Sequence, residues 1–184
     1  MKKVLHLSHT DIRSDSRILK EMSAIASTEY QVLGVGVNDF SGTEEASLLE
    51  NNFSIFNINL LSRKMVFLPR TLRHVITLIE LTFKMLFKGL FFKPNIIHCH
   101  DTLVLPLGVI LKTFTRSSLI YDAHELESDR NGLTKFQGKL TKLVEKLCWP
   151  SITALIVVSS SIESWYLREF SQKKNLCHLK FSSL

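Results

Sequence analysis

The sequence predicts an α/β protein built on a doubly wound parallel sheet, and three observations carry that prediction. Short apolar, β-branched runs recur along the 184 residues and are separated by helical stretches of ten or more residues, the spacing of βαβ crossovers. Two of these runs end abruptly in histidines and carboxylates: Ile96-Ile97-His98-Cys99-His100-Asp101 and Leu119-Ile120-Tyr121-Asp122-Ala123-His124-Glu125. Runs of this kind read as strands buried on both faces, and ligands of such sheets lie beyond the carboxyl ends of the strands. The third observation is size: 184 residues, 45% of them hydrophobic, suffice for one domain with a real core and not for two large ones.

Taken in order, residues 4–8 form a first strand. Residues 16–26 form a helix, with Asp15 as its N-cap. Residues 31–37 form a second strand. A polar stretch over 38–52 precedes an alternating strand near 53–60, and a long helix follows over about 69–92. The strand beginning at Ile96 leads to a helix near 103–114. The strand beginning at Leu119 leads to a helix over 134–148. A strand at 154–159 and a helix at 161–170 complete the pattern. Every polar cluster then falls on one edge: His9 after the first strand, His100 and Asp101, then Asp122, His124 and Glu125, then Ser159 to Ser161.

The loop after the first strand carries Asp11, Arg13, Asp15 and Arg17 where a dinucleotide-binding protein places its glycines. No glycine occurs before Gly34, so NAD or FAD binding is not expected here. Two arginines and two aspartates can grip a hydroxylated or phosphorylated ligand. They fit a solvated loop capping the next helix equally well. In a strand His98 and His100 share a face, so zinc ligation, a buried hydrogen-bonded His98, and a substrate role for His100 or Asp101 all stand, with the substrate role preferred. His124 and Glu125, just past a strand end, can hydrogen-bond sugar hydroxyls or place charge at a reacting centre. They can also simply cap the next helix.

The net charge of +6 is local: residues 63–93 hold seven basic side chains (Arg63, Lys64, Arg70, Arg73, Lys84, Lys88, Lys93) against Glu80, while the rest of the chain carries sixteen of each sign. A patch of this kind implies an anionic partner. Glu80, Lys84 and Lys88 interrupt the apolar run over 75–92 at four-residue steps, so the segment is an amphipathic helix and not a transmembrane span. With its phenylalanines it fits either an anionic membrane interface or a core helix with a solvated stripe. No nucleic-acid-binding module is recognisable. Three widely spaced cysteines, and no export segment at the start, point to a reducing cytoplasmic setting.

Four of these segments resemble the motifs of family 4 glycosyltransferases. Asp15-Ser16-Arg17-Ile18-Leu19-Lys20-Glu21 is similar to their D-P-R-V-x-K-E helix start. Lys93-Pro94-Asn95-Ile96-Ile97-His98-Cys99-His100-Asp101 is similar to P-D-(V/I)-(I/V)-H-x-H-D, and Tyr121-Asp122-Ala123-His124-Glu125 to Y-D-x-H-E. Ala154-Leu155-Ile156-Val157-Val158-Ser159-Ser160-Ser161-Ile162 is similar to D-x-(I/V)-I-x-V-S-x-x-(I/L). They occur in the family's order over residues 1–172. The resemblance implies a Rossmann-like N-terminal domain, the acceptor side of a two-domain GT-B enzyme. That enzyme would be retaining and metal-independent, with a nucleotide sugar as donor substrate and no cofactor. It implies a catalytic role for His124 and substrate contacts from His100, Asp101, Glu125 and Arg17. It further implies a lipid-linked glycan acceptor in surface polysaccharide (lipopolysaccharide-type) assembly. The protein would then sit at the inner face of the cytoplasmic membrane, with Arg70, Arg73, Lys84 and Lys88 as membrane contacts.

Departures accompany the match. Ser16 stands in place of the usual proline, which a first helical position tolerates. The donor-binding domain with its E-x7-E carboxylates has no counterpart in these residues. Residues 173–184 read as a truncated or aberrant tail without the family's next strand. Two other readings therefore accompany the first: a non-catalytic, membrane-associated binding module or remnant, and a small metallohydrolase using His98, His100, Asp122 and His124.

Overall fold

The computed structural model describes residues 1–38, 48–50, 53–123, 134–170 and 177–180. The chain folds into the expected class, an α/β structure of parallel strands alternating with helices. It divides into two compact units, Met1–Asn95 and Ile96–Leu184.

In the first unit β1 (Lys2–Leu7) pairs in parallel with β2 (Tyr30–Val37), and β2 with β4 (Phe53–Ile58). The short β3 (Leu48–Glu50) runs antiparallel to β4. It lies in the polar stretch read as irregular: three residues give too little periodicity to show as a strand. Val4 to Leu7 and Val32 to Val37 are buried without interruption, the pattern of strands covered on both faces. Helix α1 (Ser16–Ala26) buries Ile18, Met22 and Ala26 at four-residue spacing. Asp15 caps it as expected, its Oδ1 accepting from the backbone N–H of Arg17 at 3.0 Å and of Ile18 at 3.2 Å, a cap that contributes about 1 kcal/mol. Helix α2 (Arg70–Phe92) ends at Lys93, whose backbone turns left-handed at φ 53° while its N–H bonds to the Gly89 carbonyl at 3.1 Å.

In the second unit β5 (Ile96–Cys99), β6 (Ser118–Ala123), β7 (Ala154–Val157) and β8 (Cys177–Lys180) pair in that order, parallel throughout the described residues. Helices α3 (Leu105–Thr115), α4 (Lys135–Cys148) and α5 (Ser160–Phe170) connect them. Gly108 lets α3 lie against the sheet, because a Cβ there would stand 2.5 Å from Cys99 Sγ and 2.9 Å from Leu119 Cδ1. Helix α4 begins in a capping box: Gln137 N–H donates to Thr134 Oγ1 at 3.2 Å, and Thr134 N–H donates back to Gln137 Oε1 at 2.9 Å. Strand β8 lies within the segment read as a tail, and its residues 177–180 pair with Ala154 to Val157. An edge strand offers a row of unpaired backbone groups, and a four-residue segment can complete it without an apolar run long enough to notice.

Candidate functional site

In the first unit the carboxyl ends of β1, β2 and β4 carry a polar cluster built around Asp11. The loop after β1 settles onto β2: Ser8 N–H donates to the Val35 carbonyl at 3.2 Å, and Val37 N–H to the Thr10 carbonyl at 3.0 Å. Gly36 makes this possible, since a Cβ there would meet the Thr10 carbonyl oxygen at 2.6 Å. Asp11 is fully buried and takes the Arg13 guanidinium at two points, from Nε at 3.0 Å and from Nη2 at 2.7 Å. Asn57 Nδ2 donates to the same carboxylate at 2.8 Å. Burial opposes ionisation here, but the donors from Arg13 and Asn57 hold the Asp11 carboxyl below its ordinary range. Arg13 also reaches Asn38 Oδ1 at 3.0 Å, and Asn38 Nδ2 donates to Asn59 Oδ1 at 2.7 Å. Of the four charged residues singled out in this loop, Asp11 and Arg13 bind each other and Asp15 caps α1. Arg17 places its Nη2 3.9 Å from Asp15 Oδ2.

In the second unit the site residues gather at the ends of β5 and β6. His100 and Asp122 are almost completely buried, and His100 Nδ1 lies 3.3 Å from Asp122 Oδ2. Where Asp122 is ionised, its carboxylate accepts and His100 Nδ1 carries the proton. The His98 and His100 rings stack with centroids 4.2 Å apart and planes 28° apart. Asp101 Oδ1 accepts from the Val104 backbone N–H at 3.1 Å and fixes the turn into α3. After β7, Ser159 Oγ accepts from the Ile162 N–H at 3.3 Å at the start of α5. His124 and Glu125, and with His124 the fourth ligand of the metallohydrolase alternative, lie outside the described residues.

Beneath these turns lies a cluster that the sequence reading did not single out. Glu145 of α4 is fully buried, and its Oε1 accepts from Tyr166 at 2.6 Å, Tyr121 at 2.8 Å and Thr102 at 3.3 Å. Tyr121 and Thr102 hydroxyls also meet at 2.8 Å. Burial raises the Glu145 pKa, against the opposing pull of those hydroxyl donors. Trp149 stacks on Tyr166 with ring planes 5° apart. The cluster joins α4 and α5 to the residues adjoining Asp101 and Asp122. Its one visible signal was a lone acid in an otherwise lysine-rich helix.

The four basic residues expected at a membrane all sit on α2. Arg70 is exposed; Arg73, Lys84 and Lys88 are half-buried. Lys84 Nζ binds Glu80 Oε1 at 2.6 Å and the Asn59 carbonyl at 2.7 Å, while Lys88 Nζ sits 3.7 Å above the centre of the Phe56 ring. Helix α2 also exposes Leu72, Val75, Leu78, Ile79, Phe83, Phe87 and Phe91. Among the described residues no helix is long and apolar enough to cross a membrane.

No protein-family model matches the sequence, and no curated protein matches it. Solved structures do match in fold. Sucrose-phosphate synthase from Thermosynechococcus elongatus aligns over 100% of this chain and 49% of its own, with TM-score 0.77 and 13% identity. HepE from Anabaena, solved with UDP and glucose, aligns over 100% of this chain and 45% of its own, with TM-score 0.64 and 13% identity. The lipopolysaccharide outer core galactosyltransferase WaaB aligns over 95% of this chain and 44% of its own, with TM-score 0.55 and 11% identity. The chain thus spans about half the length of these structures and has the fold of one Rossmann-like half of GT-B glycosyltransferases.

Proposed function

We propose that this chain is the acceptor-side domain of a retaining family 4 glycosyltransferase. The intact enzyme moves a sugar from a nucleotide sugar to a lipid-linked glycan in surface polysaccharide assembly. One observation carries the reading: the family-like motifs fall at strand ends, and the whole chain matches one half of GT-B enzymes. Asp15 opens α1, His100 and Asp101 follow β5, Asp122 is the penultimate residue of β6 and Ser159 precedes α5. The donor nucleotide is assigned to a second domain, the half of those enzymes outside this match.

In this reading His124 lies beside the reacting sugar, and His100, Asp101, Glu125 and Arg17 line the acceptor side. The buried His100–Asp122 pair holds its imidazole in one orientation. The exposed apolar and basic side chains of α2 seat the protein on an anionic membrane surface, at the cytoplasmic face where nucleotide sugars are supplied.

The test is sugar transfer by the two-domain enzyme, followed with labelled nucleotide sugars and lipid extracts. His124→Ala abolishes transfer if the reading is right, and wild-type rates in that variant sink it. A second reading, a non-catalytic membrane-bound module, draws on the same exposed face of α2. Transfer by the purified 184-residue chain alone eliminates it.

A further inference from the structure

A groove opens between β4 and α2 in the first unit. Phe56, Asn57, Ile58 and Asn59 of β4 and its end form one wall, and Lys84, Phe87, Lys88 and Phe91 of α2 form the other, around a cavity of about 530 Å³. A second cavity of about 390 Å³ shares Phe56, Lys88 and Phe91 and extends toward Leu33 and Phe92. The two adjoin at these shared residues, and each lies within the size range of small-molecule sites.

Phe56, Phe87 and Phe91 share the lining of the larger cavity with the polar Asn59, Lys84 and Lys88, and Phe87 and Phe91 stand 58% and 84% exposed at its mouth. Aromatic rings this open to water are unusual unless something apolar covers them. Charge is supplied by two ammonium groups one helical turn apart. Lys84 is committed to Glu80 and the Asn59 carbonyl. Lys88 rests on the face of Phe56, a position from which it can turn to an anion without breaking an ion pair. Glu80, the only acid in residues 63–93, is neutralised by Lys84 and by hydrogen bonds from Ser62 and Leu61.

We propose that this groove binds a single hydrocarbon chain ending in a phosphate, with the phosphate at Lys88 and the chain along Phe56, Phe87 and Phe91. An apolar chain covers the exposed Phe87 and Phe91 rings, and a phosphate answers the Lys88 ammonium, while Glu80 pairs with Lys84. The proposal deepens the preceding reading, because it assigns the lipid end of a lipid-linked acceptor to a defined groove. It differs from membrane seating in requiring one amphiphile in one cavity.

The experiment is a titration of the 15N-labelled chain with decyl phosphate below its micelle concentration, read by backbone amide shifts. Decanol and inorganic phosphate serve as controls. Saturable shifts confined to residues around 54–59 and 84–92 are expected, with decanol and phosphate each binding at least tenfold more weakly. Lys88→Glu is expected to weaken binding at least tenfold and Lys88→Arg to preserve it; Phe87→Ser, at an exposed position that folding tolerates, weakens it several-fold. Equal binding of decanol, unchanged binding by Lys88→Glu, shifts spread over the whole chain, or no saturable shift each overturn the groove. Binding only to anionic vesicles also overturns it, in favour of surface attachment. Sugar transfer is not part of the readout. A silent transferase with intact decyl phosphate binding therefore condemns the enzymatic reading alone, and active transfer without this binding condemns the groove alone.

Discussion

Tyr166 of α5 donates its hydroxyl to Glu145 of α4 at 2.6 Å, and the carboxylate oxygen it reaches also holds Tyr121 and Thr102. Removing the acceptor leaves buried hydroxyls without it, so Glu145→Ala is expected to destabilise the fold by about 2–4 kcal/mol. Glu145→Gln keeps an acceptor and costs less. The two variants also separate by pH. The folded pKa of Glu145 is raised by burial, so the native state holds this proton after the unfolded chain has lost it. Its contribution is present below the unfolded pKa and fades as pH rises through the folded one. The stability advantage of wild type over Glu145→Gln therefore shrinks with rising pH, as urea denaturation at several pH values will show.

His6 titrates in the opposite sense. It is fully buried in β1, and burial lowers its pKa from 6.5 to about 3. Between those values the unfolded chain binds a proton that the folded chain refuses. Stability therefore falls as pH drops through this window, by at most about 1.4 kcal/mol per pH unit from this one site. His6→Asn is expected to remove about one proton from the slope of unfolding free energy against pH between 6 and 4. An unchanged slope would show that His6 is protonated in the native state.

The Asp11–Arg13 pair sets a third expectation. Arg13 is partly exposed, but Asp11 is fully buried, and removing the arginine strands its charge. Arg13→Ala should cost about 2–4 kcal/mol, measured by thermal or urea unfolding. Arg13→Lys should recover only part of it, because an ammonium cannot reproduce the two-point contact.

What the sequence made legible follows from what hydrophobic period reports. Strands such as β1, β2 and β6 stood out as near-continuous apolar runs buried on both faces, and helices such as α1 and α4 through the 3.6 period that one buried face imposes. Asp15 was legible as a cap because capping is local. Strands β3 and β8 were not: three residues of β3 cannot express a period, and the Cys177-His178-Leu179-Lys180 sequence of β8 lacks the apolar run that marked the equally short β5 and β7. The site divides in the same way. That polar groups collect at strand ends followed from topology. That Asn57 would join Arg13 on the Asp11 carboxylate, or that Glu145 would anchor two tyrosines, depends on contacts between residues far apart in sequence. Asn57 meets Asp11 across 46 positions and Glu145 meets Tyr121 across 24.

Glu80 shows how far a local pattern can mislead about purpose. Its four-residue spacing to Lys84 was legible as a charged stripe, and the pair does form, at 2.6 Å. The carboxylate nevertheless turns inward to the segment before α2, taking the backbone N–H of Leu61 at 3.0 Å and of Ser62 at 2.9 Å. It thereby closes the 3-10 turn Leu61–Lys64 onto the helix. Burial works against its ionisation, yet Lys84, Ser62 and Leu61 together hold its pKa down to about 2. For a depressed carboxyl the stabilisation is present above the unfolded value and is lost as pH falls toward the folded one. Glu80→Gln is accordingly expected to destabilise the chain by about 1–3 kcal/mol near neutral pH. The deficit relative to wild type should vanish as pH falls from 4.5 toward 2. Faster hydrogen exchange at the Leu61 and Ser62 amides in the variant would localise the loss to this staple. Exchange unchanged at those two amides, with the same global loss, would place it elsewhere on α2.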